Sequence, residues 1–151
     1  MLEVLAQFRV VFKSVRRHYQ DVERRSHITG ALLWALAEVA GRPGTQVGEL
    51  ARALAIHQST ASNLVRRLAA RGLVARQRHG RDQRAVQLVP TRKGLRVLED
   101  APQPLIGVLQ QALADLSPAT LRGLHTHLAR LIKTMRFRSP AARTTLISEM
   151  E

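Results

Sequence analysis

The chain has 151 residues, the length of one compact domain able to bury about two thirds of the surface that its unfolded form exposes. Hydrophobic residues make up 45%, charged residues 23% and aromatics 3%, a balance that excludes a disordered, collagen-like or low-complexity chain. Lys and Arg number 24 against 11 Asp and Glu, a net charge of +13 that points to a polyanionic partner, and the absence of cysteine excludes disulfides, thiolate metal centres and thiol redox chemistry.

In chain order, Leu5, Phe8, Phe12, Val15, Tyr19 and Val22 recur at alternating spacings of three and four, the narrow seam of a helix that meets another helix. That seam serves either a second copy of the chain or packing within one chain. The pattern resets at Thr29, an N-cap for a short buried helix with Leu32, Leu33, Leu36 and Ala40, which ends at Gly41 before the turn Arg42-Pro43-Gly44. From Val47, the apolar positions Val47, Leu50, Ala51 and Leu54 predict one short helix, and Ala61, Leu64, Val65 and Leu68 predict another. Only Ala55-Ile56-His57 separates the two, so they read as a helix-turn-helix. On its other face the second helix carries Gln58, Ser59, Thr60, Ser62, Asn63, Arg66 and Arg67. Short hydrogen-bonding side chains followed by arginine suit a helix entering the major groove of DNA; the alternative is a solvated face.

Helix propensity stops at Gly72, and Leu73–Arg78 and Ala85–Val89 predict two strands of a hairpin whose tip is His79-Gly80-Arg81-Asp82-Gln83-Arg84. A basic hairpin directly after a recognition helix is a wing. Arg76, Arg78, Arg81 and Arg84 are its candidate DNA contacts, and Asp82 is the residue expected to orient an arginine. Thr91 caps a helix with Leu95 and Leu98. Past Pro102 and Pro104 come Leu105, Ile106, Leu109, Ala112 and Leu113, and Ser117-Pro118 then opens a last helix with Leu121, Leu124, Leu128, Leu131, Ile132 and Met135. Leu5, Phe8, Phe12 and Val15 with Leu124, Leu128 and Leu131 are the candidate dimerisation residues. Residues 137–151 read as a tail, disordered or a final turn.

Between Leu50 and Leu98 eleven basic residues face a single acid, Asp82, so most of the charge excess sits on the helix-turn-helix and the hairpin. Twenty-one of the 24 cations are arginine, the planar side chain that reads phosphates and base edges bidentately. No catalytic constellation, carboxylate pair or phosphate loop stands at a usable spacing. His125 and His127 point about 200° apart on a helix, which argues against a shared metal. The expectation is therefore a non-enzymatic protein with no cofactor and no metal. The chain has no run of the ~18 to 20 apolar residues that a membrane span requires and no signal-peptide layout at its start, so no membrane association is expected.

The run Asp82-Gln83-Arg84 followed by Thr91 and Gly94, the segment Val47-Gly48-Glu49-Leu50-Ala51, and Ser59 to Leu68 ending in Gly72-Leu73-Val74 together resemble the MarR family of bacterial transcriptional regulators. Pro90 stands where that family's wing pattern usually has leucine. The resemblance covers roughly residues 1–136 and implies a mainly α fold with a small β-hairpin wing. Within it, a winged helix-turn-helix lobe of about 29–100 joins dimerisation helices of about 2–25 and 104–136. It implies a cytoplasmic homodimer, nucleoid-associated when bound, that represses from a pseudo-palindromic operator in double-stranded DNA and is released by a small aromatic or phenolic acid. Arg16, Arg17, His18, Tyr19 and Trp34 are the candidates for that effector's pocket, as carboxylate partners and aromatic wall, or are ordinary packing and surface charge. The rival reading is a sequence-tolerant architectural protein binding through counterion release. The base-edge readers Gln58, Ser59, Ser62 and Asn63 weigh against it.

Overall fold

The computed structural model describes residues 1–78, 86–135, 139, 144 and 145. Helix α1 runs Leu2–Ser26 without a proline or glycine. Glu3 in its first turn and Arg24 and Arg25 in its last complement the helix dipole, and His27 closes it in the left-handed conformation with its N–H on the Glu23 carbonyl at 3.0 Å. Helix α2, Gly30–Gly41, starts where the Thr29 side chain accepts the Leu32 N–H. Helix α3, Val47–Ala53, is fastened by Glu49, whose carboxylate accepts the Gln46 N–H at 2.7 Å and the Thr45 hydroxyl at 3.2 Å. These two bonds hold the Glu49 carboxyl below its ordinary pKa.

Helix α4, Gln58–Ala70, follows after a turn in which Ala55 has φ of 54°. Strands β1, Val74–Arg78, and β2, Val86–Pro90, pair antiparallel, Arg76 opposite Leu88. Backbone bonds from Gly44 to Leu88 and from Leu88 to Thr45, at 2.8 and 2.9 Å, pin β2 to the α2–α3 turn. Helices α5, Arg92–Asp100, α6, Val108–Ala114, and α7, Pro118–Thr134, complete the described chain. Thr91 caps α5 by accepting the Gly94 N–H, and Ser117 caps α7 by accepting the Thr120 N–H. The expected class, mainly helical with one small hairpin, is the class observed.

The core gathers on α2, whose Leu32, Leu33, Leu36 and Val39 are fully buried, as suits a helix apolar on nearly every side. Leu50 and Leu54 of the α3 segment, Leu64, Val65 and Leu68 of α4, and Leu73, Val74 and Leu88 at the hairpin base close around it, with Val22 and Ile28 arriving from α1. The packing of a helix-turn-helix against a third helix is thus built from the i, i+3, i+4, i+7 positions of α4.

Two boundaries differ from the sequence expectation. The first strand begins one residue late, because Leu73 is already committed: its N–H closes α4 on the Leu68 carbonyl and its own carbonyl receives the Thr91 N–H. The run Leu105-Ile106 lies in the connection before α6, cut off from the helix by Gly107, whose φ of 99° is not helical. Among the described residues no helix is long and apolar enough to cross a membrane.

Candidate nucleic-acid interface

The buried positions of α4, Ala61, Leu64, Val65 and Leu68, decide which way the rest of the helix faces. Gln58, Ser59, Ser62, Asn63 and Arg66 are all exposed, while Thr60 and Arg67 are half-buried on its flanks. The Arg66 guanidinium donates to the Asn63 side-chain oxygen at 2.9 Å, so the two side chains hold each other on the exposed face. Three residues apart on a helix they are neighbours, and the bond arranges both before any ligand arrives. No acidic residue occupies the first turn of α4, which leaves the positive end of its dipole uncompensated.

The hairpin stands beside this face. Val47 at the start of α3, Ser62 on α4, and Arg76 and Val86 on the two strands line a cleft of about 470 Å³. Two predicted contact residues far apart in sequence, Ser62 and Arg76, thereby share one concave surface. Arg76 is exposed on β1, and Arg78 ends the same strand. Arg81, Asp82 and Arg84, the predicted tip of the wing, lie outside the described residues, as does all of the predicted tail 137–151 but residues 139, 144 and 145.

The seam predicted on α1 divides along its length. Val22 is buried and Tyr19 half-buried against the chain's own helices, whereas Leu5 and Phe12 are 43% and 69% exposed. Phe8 and Val15 are half-buried, and the Phe8 and Phe12 rings stack with centroids 6.1 Å apart. Leu124, Leu128 and Leu131 of α7 are exposed, and α7 buries no residue at all. Each of these two helices leaves large apolar side chains without cover in the single chain.

The predicted effector-pocket residues differ in burial. Arg16 and Arg17 are exposed, and Trp34 is half-buried against the core. His18 and Tyr19 turn inward together, their rings 5.6 Å apart. Tyr19 accepts a hydrogen bond from the Gln110 side chain at 3.1 Å, and burial raises its phenol above the ordinary pKa. Burial likewise holds the His18 imidazole below its usual 6.5, against the pull of the Asp21 carboxylate and of the Pro104 backbone. Sequence reasoning missed Gln110, Pro104 and the close-packed Gly107. They meet α1 from some 90 residues away, and no periodicity announces such a contact.

A three-helix core with a helix-turn-helix, its second helix polar and basic outward, followed by a basic two-stranded wing defines a winged helix-turn-helix DNA-binding fold. Residues 27–85 match the model of the MarR family. Over most of its length the chain shares its fold with solved structures. It is 21% identical to MepR of S. aureus in complex with DNA, with a TM-score of 0.59 over 85% of this chain and 93% of that one. It is 21% identical to wild-type apo MarR from E. coli, with a TM-score of 0.56 over 87% and 97%. YusO from Bacillus subtilis is 20% identical, with a TM-score of 0.58 over 89% and 96%. No curated protein sequence matches the chain.

Proposed function

We propose that this protein is a sequence-specific transcriptional regulator, a repressor that binds a pseudo-palindromic operator as a homodimer. The observation that carries the reading is the two-sided character of α4: four buried apolar positions fix the helix in the lobe and turn Gln58, Ser59, Ser62, Asn63 and Arg66 outward together. Backbone binding alone would need only cations; short amide and hydroxyl side chains are base-edge readers. Thr60, Arg67, Arg76, Arg78, Arg81 and Arg84 add phosphate and groove contacts in this proposal, with Asp82 orienting the wing. Among the described residues from Leu50 to Leu98 there is no acid to oppose them.

The dimer is formed by α1 with the segment 104–135, which together serve as the assembly region, while 29–100 forms the DNA-binding lobe. Its support is the uncovered apolar surface of Leu5, Phe12, Leu124, Leu128 and Leu131, large side chains of the kind that mark an interaction surface. A small aromatic or phenolic acid would release the DNA by binding the non-DNA-binding spacing of the two lobes more tightly than the binding one. That effector step rests on the family resemblance.

Selection from a random duplex pool tests the proposal. Enrichment of a two-fold symmetric site with half-sites about one helical turn apart supports it. Recovery of duplexes with no common motif, at equal affinity, favours the architectural reading, for which the net charge of +13 is sufficient cause.

A further inference from the structure

The joint between α1 and α6 is held by polar groups that do not balance. His18 is only 8% exposed, and its Nε2 is buried without a hydrogen-bond partner. Proline has no N–H, so the Pro104 backbone acts on the imidazole through its carbonyl, as an acceptor. One acceptor suits a neutral ring. A protonated ring carries two N–H groups, and here the second is left facing a buried site, which is costly for a cation. Gln110 spends its amide nitrogen on Tyr19, and its Oε1 is also buried without a partner. Gly107 packs so closely that a Cβ there would stand 3.0 Å from the Tyr19 hydroxyl, leaving the joint no slack.

Beside these polar groups, Leu105 packs against the core and Gly107 is buried. Helix α6 buries no residue, so its local opening draws on few apolar contacts. On the other side α5 is locked into the winged-helix lobe, where Gly94 is buried against Leu73 and Leu36. The stretch from Pro104 to Gln110 is therefore a second attachment of α1, beside Val22 in the core and the Arg25 bond to the Asp100 carbonyl.

We propose that His18 is a proton-operated latch: neutral, it holds α1 against the Pro104–Gln110 stretch, and on taking up a proton it lets that stretch come away. The surrounding charges permit this. Asp21 attracts the imidazolium, but it lies half-exposed on α1 itself and is already paired with Arg24 at 2.8 Å, so it draws the ring outward rather than securing it in place. Helix α6 holds no ionisable side chain, the α5 acids Glu99 and Asp100 are exposed, and Glu38 of α2 is paired with Arg42. Burial of the neutral ring, not a salt bridge, governs the site.

The test is hydrogen exchange of the full chain at about pH 7.5 and about pH 5.5, normalised to intrinsic rates, with NMR titration of the His18 imidazole alongside. The latch requires His18 to titrate below 6.5. It also requires the amides of residues 108–114 to lose protection on acidification, by a limiting tenfold for each pH unit between 6.5 and the His18 midpoint. His18→Gln, which cannot take up the proton, keeps its protection at both pH values. A His18 midpoint at or above 6.5, equal losses in the wild type and His18→Gln, or a loss spread equally over Leu64 and Leu68 of α4 would overturn the proposal. Should His18→Gln fail to fold, the agreement between midpoint and protection loss in the wild type decides alone.

Discussion

Replacing Gly94 with alanine should break the seam between the wing and α5. The Leu73 carbonyl lies where the new methyl would go: a Cβ on Gly94 would come within 2.2 Å of that oxygen and 3.2 Å of Leu36 Cδ1. The same carbonyl receives the Thr91 N–H at 3.0 Å and lies 3.2 Å from the Thr91 hydroxyl, whose shorter bond, at 2.7 Å, goes to the neighbouring Gly72 carbonyl, so moving it aside disturbs both bonds. Overpacking costs about 1–3 kcal/mol and each weakened bond about 1 kcal/mol, while alanine returns about 1 kcal/mol of helix propensity. The net is a loss of about 2–4 kcal/mol, a large share of the stability of a domain this size. Urea denaturation followed by circular dichroism measures it, with Gly48→Ala as the control. The Gly48 Cβ position is open, so the same chemical change in α3 should stabilise by about 0.5 kcal/mol. If Gly94→Ala proves as stable as the parent, or if both variants lose stability alike, the close approach of α5 to Leu73 is not what positions the wing.

Asn63→Ala should cost about 1–3 kcal/mol on the preferred site and relax discrimination at one base pair, measured by anisotropy on a panel of single-base variants. Equal losses on every sequence would make Asn63 a backbone contact. Leu128→Glu, which places a charge on the exposed α7 stripe, should raise the dimer dissociation constant by at least about tenfold in sedimentation equilibrium, since burying an unpaired carboxylate costs upwards of about 2 kcal/mol. Ala55 adopts φ of 54° in the helix-turn-helix turn, a conformation glycine takes freely, so Ala55→Gly should raise the stability by up to about 1 kcal/mol in thermal unfolding. Stability should also fall with acidification below 6.5. Between 6.5 and the depressed folded-state value the unfolded chain binds the His18 proton and the folded chain does not; the decline levels off below the folded value and is absent in His18→Gln.

What the sequence disclosed and what it hid follow from the range of the interactions involved. Helix caps are local: Thr29, Thr91 and Ser117 each sit three residues from the N–H they accept, and all three are legible as serine or threonine before a periodic run. The faces of α4 are equally local, because the 3.6-residue period that buries Leu64 and Leu68 also exposes Ser62 and Asn63. The start of the first strand lies one residue beyond its predicted place because of a distant partner: Thr91 claims the Leu73 carbonyl across 18 positions. The seam on α1 shows the same limit. Its periodicity is unbroken from Leu5 to Val22, yet Val22 enters the core and Phe12 does not, because only the C-terminal half of the helix has α2, α5 and α6 beside it. The pairing of Tyr19 with Gln110 joins positions 91 apart and leaves no trace in composition or spacing.

The central claim is sequence-specific binding by the exposed face of α4, and the direct measurement is fluorescence anisotropy of a selected duplex against a scrambled one over a salt series. The account predicts a preference of about 10³ or more that persists at physiological salt. Equal affinities that fall together as salt rises would contradict it and leave a charge-driven DNA binder without sequence preference.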